Sequence, residues 1–271
     1  MYESYWNLTH KPFIQRINTS AMYRNHSQQA AKLRLKYCMD NSLGIGMLIG
    51  QSGTGKSSLM KSFASSGFSP IVYVPFSLLA PVELLRIITA DLQNEEAVRN
   101  IDLPTDSLLN SIRSSLIRLT NDGKQTLICF DDAHQMSDAC LMQVIQPLLS
   151  ICDAEESIRL SIIVAGQPVL SAKLRKHVQI CDRIAVTAAL QGLTLTETQD
   201  YVRSALQAAG STEPIFTDDA VNRLYEVTGG NPRRLNRLAD MALLVGYADQ
   251  LDQITESEID AISHELMPAA A

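Results

Sequence analysis

One octapeptide limits what this chain can fold into: Gly50-Gln51-Ser52-Gly53-Thr54-Gly55-Lys56-Ser57. It fits G-x-x-x-x-G-K-[ST], follows the apolar run Met47 to Ile49 and precedes a helical pattern, so both contextual demands of a phosphate-binding loop are met. Its glycines reach backbone geometries closed to other residues, which lets successive N–H groups turn inward around phosphate oxygens. The backbone from Gly50 through Ser58 would cradle a nucleotide, the Lys56 ammonium would reach the β- and γ-phosphates, and the Ser57 hydroxyl would meet Mg2+. Such a loop needs a buried parallel strand behind it and a helix ahead.

The surrounding pattern supplies both. Strand-like runs at Met47 to Ile49, Ile71 to Val74, Thr126 to Phe130, Ile158 to Ala165 and Ile184 to Thr187 are rich in β-branched residues and almost wholly apolar, as expected of parallel strands covered on both faces. Helical patterns at Gln28 to Asp40, Lys56 to Ser65, Pro81 to Asn94, Ser107 to Asn121, Asp138 to Ser150 and Pro168 to Gln179 separate them. The class is α/β. After Gln191 only helix starts remain: Thr194 with Glu197 and Thr255 with Glu258 have capping-box spacing, Asn231-Pro232 offers an N-cap with proline behind it, and Thr217 precedes two acids. Residues 1–190 are expected to form the nucleotide-binding domain with an N-terminal helical extension, and 191–271 a four-helix lid.

Charge follows the same division. The net charge of −6 comes from eighteen basic and sixteen acidic residues before position 191, against five and thirteen after it. That distribution excludes the strongly basic surface of a dedicated nucleic-acid-binding domain, while leaving local basic points at Arg175-Lys176-His177 and at Arg233, Arg234 and Arg237. Five widely spaced cysteines without a C-x-x-C pair read as buried free thiols. Neither a membrane-length apolar run nor a signal-peptide pattern occurs, so the expectation is a cytoplasmic protein without membrane insertion.

Thr126-Leu-Ile-Cys-Phe130-Asp131-Asp132 is an apolar strand ending in two carboxylates, the form of a Walker B segment. Asp131 takes the Mg2+ role and Asp132 the role of polarising the attacking water. Glutamate is usual at the second position; aspartate draws the carboxylate back by about 1.5 Å, at a place where a shift of about 1 Å can cost 100-fold in rate. Gln167, after the buried run Ile162 to Gly166, is the candidate sensor of the γ-phosphate, the alternative being a helix cap. His134 orders the loop after the carboxylates, and Tyr23 or Phe13 is either a packing anchor or an adenine-stacking ring.

These residues resemble the AAA+ ATPases of the general secretion pathway protein A (ExeA-like) family. The similarity runs through Met1-Tyr2, Trp6-Asn-Leu8, Lys11-Pro12-Phe13, the phosphate loop, Asp131-Asp132-Ala133-His134, Gly166-Gln167-Pro168 and Gly229-Gly-Asn-Pro232-Arg233-Arg-Leu-Asn236. The resemblance implies an AAA+ sheet of order 5-1-4-3-2, a helical lid, and a homo-oligomer with ATP at subunit boundaries. It maps Arg233 onto the sensor 2 arginine and Arg183 onto the region of the arginine finger that reaches a neighbouring subunit, with Arg175 as the competitor. It further implies an ATPase whose nucleotide state drives oligomerisation and regulates a secretion, pilus or exopolysaccharide envelope-assembly complex, held peripherally at the inner membrane through a partner. Two alternatives stay open: a DNA-associated helper ATPase of the transposition type, and a slow nucleotide-gated scaffold if Asp132 cannot support turnover. Longer members add a membrane helix and a peptidoglycan-binding domain, which this sequence does not carry.

Overall fold

A computed structural model describes residues 1–13, 25–65, 67–75, 78–96 and 102–266, in two compact units. His26–Leu190 forms one; Met1–Asn25 and Gln191–Ala271 form the other.

In the first unit, five strands make one parallel sheet: β1 (Ile45–Gly50), β2 (Ile71–Val74), β3 (Thr126–Phe130), β4 (Leu160–Gly166) and β5 (Ile184–Leu190), in the order β2-β3-β4-β1-β5. Read from the other edge, this is the AAA+ order 5-1-4-3-2. Around the sheet run α1 (His26–Asp40), α2 (Lys56–Lys61), α3 (Pro81–Gln93), α4 (Thr105–Asn121), α5 (Asp138–Cys140), α6 (Gln146–Ala154), α7 (Val169–Leu174) and α8 (Val178–Cys181). The strands alternate their apolar side chains between two cores. Ile128, Phe130, Ile162 and Val164 face α3, α4 and α6, while Leu127, Cys129, Ile163 and Ala165 face α1 and α2. Burial on both faces is why β1, β3 and β4 read as near-continuous apolar runs, whereas β5, at the edge of the sheet, exposes alternate residues despite its apolar sequence.

Three expected helices differ from the sequence reading, the first being the run from Lys56, which is α-helical to Lys61 and ends as a 3-10 turn over Ser62–Ser65. The run from Asp138 extends to Ala154 but carries a π-helical segment, Leu141–Ile145, between α5 and α6. Pro147 gives the physical reason: inside a regular α-helix its ring would meet the carbonyl four residues back, and a wider turn upstream relieves that clash. The pattern at Pro168 to Gln179 is two short helices, α7 and α8, rather than one.

In the second unit, α9 (Leu195–Ala208), α10 (Asp218–Thr228), α11 (Pro232–Ala248) and α12 (Glu256–Leu266) follow their caps. Thr194 Oγ1 accepts from Glu197 N at 3.2 Å while Glu197 Oε2 accepts from Thr194 N at 2.9 Å. Asn231 Oδ1 accepts from Arg233 N and Arg234 N at 3.1 and 3.3 Å. The N-terminal segment was expected with the α/β domain; its described part instead completes the helical core. Tyr2, Trp6, Leu8 and Phe13 are buried with Leu206, Phe216, Leu238 and Leu243. Trp6 Nε1 donates to Leu243 O at 2.9 Å, and its ring lies against Gly246, where a Cβ would stand 2.8 Å from Trp6 Cζ2. Four helices of 11 to 17 residues leave one apolar face without cover, and the first thirteen residues supply it. Among the described residues no helix is long and apolar enough to cross a membrane.

Candidate nucleotide site

Register carries the expected site residues to one edge of the sheet. Ile49 of β1 pairs with Gly166 of β4, and Phe130 of β3 pairs with Val164 of the same strand. Because all strands run parallel, the residues just beyond their C-terminal ends lie side by side: the loop from Gly50, Asp131-Asp132, and Gln167.

The phosphate loop is built by backbone rather than side chains. Gly53 and Gly55 have φ of +87° and +98°, and a Cβ at Gly55 would stand 2.9 Å from Gln28 Nε2. Gln28, on α1, is buried and donates to Thr54 O at 3.4 Å, so the helix preceding β1 braces the loop from outside. Lys56 is also buried; its Nζ donates to Gly50 O at 2.9 Å and to Gln51 O at 3.0 Å. An ammonium held by two carbonyls across the loop lies beside the amides that would receive a phosphate.

Ser57 joins this loop to the acidic strand, its Oγ donating to Asp131 Oδ2 at 2.5 Å. Asp131 is 5% exposed, and its Oδ1 accepts the Asp132 amide at 2.9 Å. A hydroxyl beside a buried carboxylate is a hard-oxygen donor set suited to a small divalent cation that keeps most of its own water. The residues present therefore fit Mg2+.

Tyr73 was missed in the sequence. It lies on β2 opposite Cys129 of β3, so Asp131, two residues on, projects from the same face. Its hydroxyl donates to Asp131 Oδ2 at 2.5 Å. Burial, and then the neighbouring carboxylate, push the phenol well above its usual range, so it stays a donor. The same two causes raise the Cys129 thiol to about 12. The available signal was one polar-tipped ring in an otherwise aliphatic strand, whose partner only the register reveals.

Asp132 has φ of +47° and a side chain 52% exposed, so its carboxylate meets solvent at the sheet edge. His134, 10% exposed, puts Nδ1 3.8 Å from Asp132 Oδ1, beyond hydrogen-bond range, and packs beside Gly166. Lys173 of α7 donates to the carbonyls of His134 (3.2 Å) and Met136, tying the helix after Gln167 to the turn after Asp132. Gln167 itself gives its carbonyl to Leu170 N at 2.9 Å, which starts α7.

Other expected residues lie on other elements. Arg183 precedes β5, whose first residue pairs with Ile45 and whose last pairs with Gly50. Six strand positions at about 3.3 Å each place it about 20 Å from the phosphate loop, at the opposite end of the neighbouring strand. There it forms a two-pronged pair with Asp153, Nη1 to Oδ1 at 2.7 Å and Nη2 to Oδ2 at 2.6 Å, half exposed on both sides. Arg175 is exposed at the end of α7. Arg233, Arg234 and Arg237 are exposed along the first turns of α11 in the helical unit. Phe13 is buried there, edge-on to Phe216 at 6.2 Å between ring centroids, which makes it a packing anchor; Tyr23 lies outside the described residues.

Comparison with known proteins agrees with the fold. Residues 40–174 match the AAA domain family. General secretion pathway protein A of Aeromonas hydrophila is 28% identical over 98% of this chain and 48% of its own length. This chain thus spans about half of that relative. Among solved structures, Cdc6p from Pyrobaculum aerophilum is similar with a TM-score of 0.71, at 15% identity over 99% of this chain and 72% of that one. The Aeropyrum pernix ORC2 protein, in ADPNP–ADP complexes, gives 0.68 at 14% identity, over 94% and 71%. At such identities these two show the fold alone.

Proposed function

We propose that this chain, an AAA+ P-loop protein related to general secretion pathway protein A, binds ATP with Mg2+, hydrolyses it, and through its nucleotide state governs self-association and an envelope-assembly or secretion complex. The observation that carries the nucleotide part is the contact of Ser57 with Asp131, which brings the phosphate loop and the acidic strand into one site.

Each step then has a residue. The triphosphate enters the loop, and Lys56 exchanges the carbonyls of Gly50 and Gln51 for phosphate oxygens. Ser57 and Asp131 would hold the shell of a bound Mg2+, which would supply charge neutralisation for the triphosphate. Asp132, solvent-facing one residue beyond Asp131, accepts the proton of the attacking water and orients it. Its left-handed backbone redirects a carboxylate one methylene shorter than glutamate, which supports turnover at a reduced rate. Gln167, level with Gly50, takes the γ-phosphate sensor role, and Lys173 couples its helix to the Asp132 turn. Arg233 takes the sensor 2 role by its motif. Arg183, being about 20 Å from its own loop, suits only a neighbouring subunit's nucleotide, which ties hydrolysis to assembly.

Asp132→Asn tests the assignment. ATP affinity should persist within about twofold while phosphate release falls by 100-fold or more, and Asp132→Glu should release phosphate faster than the native chain. Unchanged release by Asp132→Asn rejects Asp132 as base. Unchanged, barely measurable release in all three chains supports the scaffold reading. The exposed Arg234 and Arg237 favour a second reading, a DNA-associated helper ATPase. Duplex DNA binding that needs ATP and weakens steeply with salt would select it.

A further inference from the structure

We infer that Tyr73 is a positioning residue for the metal-binding acid: its hydroxyl fixes the Asp131 carboxylate in the orientation that receives Mg2+, so cation affinity depends on a side chain that touches neither nucleotide nor metal. The inference rests on the ATP- and Mg2+-binding reading above.

This carboxylate accepts from donors on different elements. Ser57 of α2 and Tyr73 of β2 share Oδ2, each at 2.5 Å, and the Asp132 amide following β3 takes Oδ1 at 2.9 Å. The Ser57 hydroxyl must turn its lone pairs to an arriving cation, and the Asp132 amide belongs to the turn that carries the water-activating group. Tyr73 alone has no second duty. Its backbone is fixed by pairing with β3, and its ring lies on the α1 and α2 side of the sheet with Lys61 Nζ 5.1 Å from the ring centroid. That side chain therefore holds the same place whether Ser57 faces Asp131 or the metal. Without it, the carboxylate loses an Oδ2 hydrogen bond whose donor the metal does not require, and its orientation about Cβ–Cγ is less tightly set.

Tyr73→Phe removes the hydroxyl and keeps the ring. The readouts are binding of a fluorescent ADP analogue in EDTA, the Mg2+ concentration that half-restores its metal-dependent affinity, and direct Mn2+ binding by electron paramagnetic resonance. Metal-free nucleotide affinity and melting temperature should stay near native, while Mg2+ and Mn2+ binding weakens about tenfold, the size of one charge-assisted hydrogen bond. Unchanged or tighter metal binding overturns the inference. So does a parallel loss of metal-free nucleotide affinity, which marks a merely structural ring. If the native chain itself shows no Mg2+-dependent nucleotide binding, the parent reading fails instead, and this one with it.

Discussion

Gly246 and Trp6 provide a quantitative test of the helical core. Gly246 lies inside α11, where alanine would normally stabilise by about 1 kcal/mol through backbone entropy. Here a methyl would stand 2.8 Å from Trp6 Cζ2 and 3.2 Å from Ile254 Cγ1. Carbon atoms settle at about 3.5 to 4.0 Å, so the indole must retreat by roughly 1 Å in a filled core. Such overpacking costs about 1 to 3 kcal/mol, which outweighs the helix gain and leaves Gly246→Ala destabilised by up to about 2 kcal/mol. Trp6→Phe removes the ring carbons that collide. In that background the same Gly246→Ala change should become stabilising, by about 1 kcal/mol minus any residual contact with Ile254. Urea unfolding of the four chains, followed by helical circular dichroism, closes a double-mutant cycle with an expected coupling of about 1 to 3 kcal/mol. Additivity within about 0.3 kcal/mol would refute the packing of the N-terminal segment on α11. The native chain also offers a direct reporter: Trp6 is its single tryptophan, so indole emission follows this unit alone.

Other expectations address the nucleotide site and its surroundings. Lys56→Ala removes the cation from the loop and should lower ATP affinity at least 100-fold without shifting the melting temperature of the free protein by more than a few degrees; calorimetric titration decides, and retained affinity rejects the loop as the phosphate site. Arg183→Ala should bind nucleotide normally yet lose turnover, and mixing it with Asp132→Asn should restore part of the phosphate release, since each subunit lends what the other lacks; no recovery on mixing argues against a finger acting in trans. Cys129 should resist iodoacetamide in the folded chain at pH 8, because its thiol, raised to about 12, stays protonated and is fully buried. The same raised value means the unfolded chain loses that proton first as pH climbs past about 9, so this thiol's contribution to stability is full below that point and declines above it. Labelling of Cys129 ahead of the half-exposed Cys181 would contradict the burial.

How far the sequence could be read depended on where the information lay. Ile71–Val74 and Thr126–Phe130 have the very limits their apolar runs suggest; the second is buried at every position, and the first at every other one, with its remaining residues partly covered. The phosphate loop was equally legible, since its chemistry is carried by eight contiguous residues. Sheet order was not contained in those runs and came from resemblance, as nothing in β4 itself states that it lies between β1 and β3. Tyr73 was invisible for a related reason: its partner is 58 residues away, and only strand register joins them. The short N-terminal segment gave the opposite difficulty. Its aromatic residues were conspicuous, but proximity in sequence assigned them to the strands that follow, whereas the uncovered surface they fill is made by helices near the other end of the chain. Pro147 was a visible warning of the irregular turn before it.

That N-terminal segment also sets an order of events during synthesis. Tyr2, Trp6, Leu8 and Phe13 leave the ribosome ahead of the α/β unit, yet the residues that bury them begin at Leu193. At about 5 to 20 residues per second, roughly 10 to 35 seconds pass before their partners start to appear, long enough for the intervening α/β unit to fold. Throughout that interval the newborn chain displays a short aromatic segment without its partners, and any factor that shields nascent hydrophobic sequence has an opportunity there.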